Sequence, residues 1–224
     1  MLIKALWMAL STYSAIPVPP TRWDAPAAKY AICFFPAVGC LCGAALGAWL
    51  LLCQALSLGA VLYAAGAAAL PLVITGGIHM DGYMDTVDAL ASWQPREKKL
   101  EIMKDPHCGS FAVMFCGAYL LVSCGIFSEL YQRGLAVCAV CGYVLSRALS
   151  GLCAVNFPHA KKAGMLSAFT ANIRRQHVNI ILALTAVGAC AGMLAPNPPA
   201  GAVGALFALL WMWGYHRKIG RAHV

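Results

Sequence analysis

The chain has 224 residues and a formal net charge of +8, with 61% of its residues hydrophobic and only 11% charged. Soluble domains are about half apolar and about a quarter charged, so this composition excludes an ordinary soluble domain and predicts an integral membrane protein. The basic residues are distributed over short segments between apolar runs, which argues against a nucleic-acid-binding face and fits the loops of a membrane protein.

The first 29 residues predict an amphipathic helix on the membrane surface, followed by a proline-rich turn. Six apolar segments come next, at about 30–56, 58–78, 109–131, 135–156, 178–195 and 200–215. The first of them carries Gly39, Gly43 and Gly47 at the spacing that favours close helix packing. We therefore predict one domain over residues 1–224, an all-α polytopic membrane helix bundle with about six transmembrane helices.

The segment 76–109, between the second and third apolar segments, holds six of the eight acidic residues of the chain. Asp81, Asp85 and Asp88 have the spacing i, i+4, i+7, which places them on one face of a helix. Three carboxylates so close together repel one another unless a cation neutralises them. Mg²⁺ is the expected cation, because proteins hold it with carboxylates and substrate phosphates.

Other residues of this acidic loop suit a phosphate-bearing substrate. Gly76, Gly77 and Gly82 would let the backbone approach a bulky anion closely. His79 could bind a phosphate, orient an aspartate or act as a base. Lys104 and Asp105 end the helical run REKKLEIMKD, close to the start of the third apolar segment.

Arg147 lies inside the otherwise apolar fourth segment. A charge within a membrane is costly, so it is expected to have a partner or a ligand. The two candidates are the aspartate cluster and a substrate phosphate.

The positive charges predict the orientation. With six spans, 14 of the 16 lysines and arginines fall on one side, together with the N-terminus, the acidic loop, the polar 157–177 loop and the C-terminus. By the positive-inside rule that side is cytoplasmic.

Two motifs in this order, GGIHMDGYMDTVDA (76–89) and IMKDPHCG (102–109), resemble those of the cobalamin synthase family, the adenosylcobinamide-GDP ribazoletransferases. Weaker similarities are IPVP (16–19), FPAVG (35–39) and Ser146-Arg147, so that the resemblance covers essentially the whole chain. Ala89 and Ala112 stand where the family usually has glycine. A glycine-rich, GGxTGD-like segment that family members carry after the sixth span is absent here.

The resemblance implies an enzyme of a bacterial or archaeal cell membrane that joins adenosylcobinamide-GDP to α-ribazole or its 5′-phosphate. The products would be adenosylcobalamin, or its 5′-phosphate, and GMP. Mg²⁺ would be held by Asp81, Asp85 and Asp88. The catalytic set would comprise these three and His79, Lys104 and Asp105, and substrate binding would fall to Gly76, Gly77, Gly82 and Arg147.

The implied mechanism is an in-line attack of the ribazole 5′-hydroxyl on the cobinamide-side phosphorus, with His79 or an aspartate accepting the proton. The expected partners are the two substrates and membrane lipid, without nucleic acid. A homo-oligomer or an association with other enzymes of cobalamin assembly is also compatible with the sequence.

Two other functions are compatible with parts of the pattern. One is a different membrane Mg²⁺-dependent phosphotransferase, although the DG-x2-AR pattern of the CDP-alcohol type is missing. The other is an ion-coupled transporter, against which stand the gathering of the acids in one loop and the lack of an inverted repeat.

The last six residues, 219–224, match a translated sequencing-adapter start. We expect these six residues to be artefactual and the natural chain to continue beyond them.

Overall fold

The computed structural model describes residues 1–20, 22–157, 165–170, 173–215 and 217, and within these ranges the regular elements are all helical. In chain order the helices are α1 (Leu2–Tyr13), α2 (Ala25–Ala31), α3 (Phe35–Ala55), α4 (Ala60–Thr75), α5 (Ile78–Ala91), α6 (Arg96–Ile102), α7 (Ser110–Gln132), α8 (Ala136–Asn156), α9 (Met165–Thr170), α10 (Arg175–Leu194) and α11 (Pro198–Tyr215). The predicted all-α class is confirmed. Lys161, Lys162 and the predicted artefact at 219–224 lie outside the described residues.

Among the described residues, four helical segments are long and apolar enough to cross a membrane. They are Ala25–Ala55, which joins α2 to α3 through a 3-10 turn, and α7, α8 and α10. Helices α4 and α5 together would supply a fifth span, but they are bent by 97° at their junction. Helix α11 is a shorter apolar helix over Pro198–Gly214. The polytopic membrane bundle is therefore confirmed. Each of the six predicted apolar segments is a helix, but only four reach full spanning length on their own.

The bend between α4 and α5 is made by two consecutive glycines. Gly76 and Gly77 have φ values of 62° and 78°, in the left-handed region where residues with a side chain are strained. The N–H of Gly77 donates to the carbonyl oxygen of Leu72 at 2.9 Å, which ends α4. The segment predicted as an acidic loop therefore begins as a helix, α5, that turns away from the axis of α4.

Helices α3 and α8 pack closely against each other. A Cβ atom on Gly39 would lie 2.6 Å from the carbonyl oxygen of Tyr143, and one on Gly43 would lie 2.9 Å from a methyl carbon of Val140. The two helices therefore run antiparallel with their backbones nearly in contact, as the small-residue spacing predicts. Gly47 does not belong to this contact, because no atom lies within 4 Å of the Cβ position there.

The N-terminal helix α1 packs on the bundle through Ala5, Met8, Ala9 and Leu10, while Leu2 and Ile3 remain exposed. The N–H of Ala15 donates to the carbonyl oxygen of Ile74 at 2.8 Å and thereby fastens the chain after α1 to the end of α4. This arrangement brings Tyr13, at the end of α1, close to the first turn of α5.

Candidate functional site

Helix α5 carries the three predicted metal ligands, but their side chains lie in different surroundings. Asp81, in the first turn, is exposed, and Asp85, one turn later, is half-buried on the same face. We call Asp81 and Asp85 the acidic face. Within the described residues, no three His, Cys, Asp or Glu side chains come together as a metal-holding group.

Two carboxylates are nevertheless a suitable donor set for Mg²⁺, which proteins commonly bind through one or two carboxylates together with phosphates and water. The acidic face therefore fits the expected ion as a partial site. Its remaining ligands would have to come from substrate or water.

Asp88, on the next turn of α5, is directed at the N-terminus of α7 instead. Its carboxylate accepts hydrogen bonds from the N–H of Gly109 at 2.6 Å and from the N–H of Ala112 at 2.8 Å. Both N–H groups belong to the uncapped first turn of α7, which has no side-chain cap of its own. Both carboxylate oxygens of Asp88 are thus already engaged by the protein backbone.

A second group of site residues surrounds the ring of Phe35, at the start of α3. The Tyr13 and His79 rings lie 4.6 Å and 5.8 Å from the Phe35 ring, measured between centroids. The guanidinium carbon of Arg147 lies 5.8 Å from the same centroid. We call these four residues the Phe35 cluster. It unites α1, α3, α5 and α8.

Two polar atoms of the Phe35 cluster are buried without a hydrogen-bond partner among the described residues, Nε2 of His79 and Nε of Arg147. Within the described part of the chain, the one hydrogen bond of Arg147 runs from Nη1 to the Ser146 hydroxyl at 3.4 Å. No carboxylate of the described residues forms an ion pair with it, so the aspartate cluster is not its partner in this structure. A buried cation without a counter-charge is costly and suits the binding of an anion.

Lys104 and Asp105 lie on the connection between α6 and α7, where both are exposed. The Asp105 carboxylate accepts from the N–H of His107 at 2.9 Å and lies 2.7 Å from Nδ1 of the same residue. These contacts, the backbone N–H first and then the ring, hold the pKa of Asp105 below its usual value. Within the described ranges, neither Lys104 nor Asp105 is seen to form a hydrogen bond or ion pair with Asp81 or with the Phe35 cluster.

The three glycines predicted to contact substrate do not share one structural role. Gly76 and Gly77 are needed for the turn between α4 and α5, whereas Gly82 is an exposed helical residue with open space at its Cβ position.

Tyr13 and Phe35 were not among the predicted site residues. The FPAVG segment (35–39) was the only sequence signal that pointed to either of them.

The fold and the site define a class of protein: a polytopic membrane protein with a carboxylate-bearing helix and, in an apolar helix, an arginine whose Nε is buried without a hydrogen-bond partner among the described residues. The chain belongs to the cobalamin-5-phosphate synthase family, whose profile matches residues 5–222.

Curated relatives carry the name adenosylcobinamide-GDP ribazoletransferase. One from Lachnoclostridium phytofermentans is 40% identical over 215 residues, which cover 96% of this chain and 82% of the relative. One from Clostridium perfringens is 38% identical over 131 residues, covering 58% of this chain and 52% of the relative. One from Brevibacillus brevis is 37% identical over 137 residues, covering 59% and 53%. No solved structure matches the chain.

Proposed function

We infer that this chain is an adenosylcobinamide-GDP ribazoletransferase, which joins adenosylcobinamide-GDP to α-ribazole or α-ribazole 5′-phosphate and releases GMP. The observation that carries this inference is the 40% identity to a relative of that name over 96% of the chain. The Arg147 guanidinium supports it independently, because its Nε is buried without a hydrogen-bond partner among the described residues and the diphosphate of adenosylcobinamide-GDP is anionic.

The bond changes follow from the two substrates. A ribose hydroxyl oxygen of the ribazole bonds to the phosphorus on the cobinamide side of the diphosphate. The bond from that phosphorus to the bridging oxygen breaks, and GMP leaves with the electron pair.

The attacking hydroxyl is not the 5′-hydroxyl expected from the sequence. The family's name is cobalamin-5-phosphate synthase, and a product that keeps a 5′-phosphate cannot have been joined through its 5′ oxygen. Another hydroxyl of the ribose must therefore be the nucleophile.

In this proposal Arg147 binds an oxygen of the transferred phosphate, since a guanidinium pairs with phosphate oxygens through two parallel hydrogen bonds. His79, whose Nε2 has no partner among the described residues, accepts the proton of the attacking hydroxyl. Its ring lies beside both Tyr13 and Phe35, at 6.2 Å and 5.8 Å between centroids, and these contacts restrict its orientation.

Asp81 and Asp85 would hold Mg²⁺ against the diphosphate. Bound there, the ion would offset the negative charge that develops on the departing GMP. Lys104 would add a further positive charge for the diphosphate, if the connection between α6 and α7 is held towards α5.

The orientation that we propose places α5 on the cytoplasmic side. Lys4, Lys29 and Lys104 belong to that side in the positive-inside arrangement, whereas Arg133 lies opposite. A homo-oligomer and an association with other enzymes of the same pathway remain predictions.

The test is to incubate membranes containing the chain with adenosylcobinamide-GDP, α-ribazole and Mg²⁺, and to analyse the products by mass spectrometry. We expect a cobalamin product that is absent without α-ribazole. Membranes containing Arg147→Met should form about 10²-fold less product at equal protein. No cobalamin above empty membranes would refute the proposed function.

A further inference from the structure

The segment between α5 and α7 leaves the bundle and returns to it. It comprises residues 89–108, which include the end of α5, all of α6 and the turn that carries Lys104 and Asp105. We call it the excursion. Lys98 and Lys104 are exposed and Lys99 is half-buried, and Lys98 forms an ion pair with nearby Glu101 at 2.8 Å.

The two ends of the excursion are tied together by one side chain. Asp88 precedes it, Gly109 follows it, and the Asp88 carboxylate accepts from the N–H of Gly109 at 2.6 Å and from the N–H of Ala112 at 2.8 Å. A carboxylate that accepts two backbone N–H groups at the start of a helix is a helix cap, here supplied from another helix.

Gly109 makes this contact possible. A Cβ atom at that position would lie 2.6 Å from Oδ2 and 2.7 Å from Cγ of Asp88. Any side chain at 109 would therefore push the carboxylate off the N–H groups. The contact joins the two motifs that carry the family resemblance, since Asp88 lies in the first and Gly109 ends the second.

We propose that Asp88 is a positioning residue whose carboxylate closes the base of the excursion, and that it is not a ligand of the metal. By holding the N-terminus of α7 against α5, it fixes where Lys104 and Asp105 lie relative to the acidic face. The effect of this closure on catalysis rests on the proposed function, whereas the closure itself does not.

The first test is limited trypsin cleavage of the purified full chain in detergent with EDTA present. The excursion offers exposed cleavage sites at Lys98 and Lys104 and a half-buried one at Lys99, and exposed Arg133 at the end of α7 serves as an internal reference. Opening the base should raise the rate of cleavage in the excursion relative to Arg133 by about tenfold or more in Asp88→Ala, because cleavage follows the population of the open form.

Two further variants separate closure from metal binding and from charge. Gly109→Ala removes no carboxylate and should reproduce the faster cleavage. Asp81→Asn removes the same charge from the same helix and should cleave like the unchanged chain. Asp88→Asn keeps one acceptor oxygen and should fall between the unchanged chain and Asp88→Ala.

The second test is the Mg²⁺ dependence of turnover. Asp88→Ala and Gly109→Ala should lower kcat/KM by about 10- to 100-fold, since small displacements of contacting groups are enough for such losses. The Mg²⁺ concentration for half-maximal activity should stay within about twofold of that of the unchanged chain, whereas in Asp81→Asn it should rise.

Cleavage in EDTA that is unchanged in Asp88→Ala would overturn the proposal, and so would equal acceleration at Arg133, which would mean general unfolding. A large increase in the Mg²⁺ requirement of Asp88→Ala, comparable to that of Asp81→Asn, would show that Asp88 is a metal ligand after all. If no variant, nor the unchanged chain, turns over, the proposed function fails, but the cleavage result still decides the closure.

Discussion

Substitution of Gly39 by alanine should weaken both the bundle and the site. The added Cβ would lie 2.6 Å from the Tyr143 carbonyl oxygen and 2.9 Å from the Cα of Val144, which are backbone atoms that cannot move aside alone. Ordinary contact requires about 3.4 Å, so α3 and α8 must separate by about 0.8 Å at this point.

The size of the effect can be estimated from that overlap. Overpacking of a well-packed interface costs about 1–3 kcal/mol. For a chain of this length, each kcal/mol corresponds to about 2–4 °C, so we expect Tm to fall by about 2–12 °C. Phe35 and Arg147 lie one helical turn from the contact on their respective helices, so their separation should increase too. A displacement approaching 1 Å in a site can lower kcat/KM by about 10²-fold.

The assay compares Gly39→Ala with Gly47→Ala in the same detergent, by thermal unfolding and by turnover of adenosylcobinamide-GDP. Gly47 lies on the same helix with open space at its Cβ position, so its alanine variant should keep its kcat/KM and its Tm or gain slightly in Tm. Equal Tm and equal kcat/KM in the two variants would refute the close-packing argument.

Three more outcomes are expected. Arg147→Lys should assemble normally but lose about 10²-fold in kcat/KM, because an ammonium cannot reproduce a two-point phosphate contact. The control Arg133→Lys should keep the kcat/KM of the unchanged chain. Full activity of Arg147→Lys would contradict phosphate binding. Asp81→Asn should lower turnover by at least about 10²-fold, and excess Mg²⁺ should restore part of it. Normal turnover of this variant at low Mg²⁺ would show that Asp81 is not a metal ligand. After removal of the native cysteines, a cysteine at Gln94 should be labelled only from the cytoplasmic side and one at Gln132 only from outside, and the reverse pattern would invert the proposed orientation.

The helices and their order could be predicted from the sequence because each apolar run has the length and composition of a membrane helix. The close approach at Gly39 and Gly43 followed from their spacing, but the same pattern wrongly included Gly47, because a spacing does not reveal where two helices diverge. The glycine pair at 76 and 77 indicated the end of the second apolar helix. The 97° bend there depends on left-handed backbone angles that the amino-acid sequence alone does not specify.

The site was predictable in its residue types and less so in its arrangement. Spacing correctly placed three aspartates on one helix, but it could not show that Asp88 contacts the N-terminus of another helix 21 residues along the chain. The Phe35 cluster depends on contacts among four helices, and single-sequence patterns contain no information on such pairings. Arg147 was found because a charge in an apolar run is a signal in itself.

The most direct test of the central claim is a time course in which GMP and the joined corrinoid product are measured in the same reaction. The purified chain is supplied with adenosylcobinamide-GDP, α-ribazole and Mg²⁺, and aliquots are separated by chromatography with mass detection. We expect the two products to form at equal rates and both to require α-ribazole. Release of GMP or GDP without a joined product, or no consumption of adenosylcobinamide-GDP at all, would contradict it.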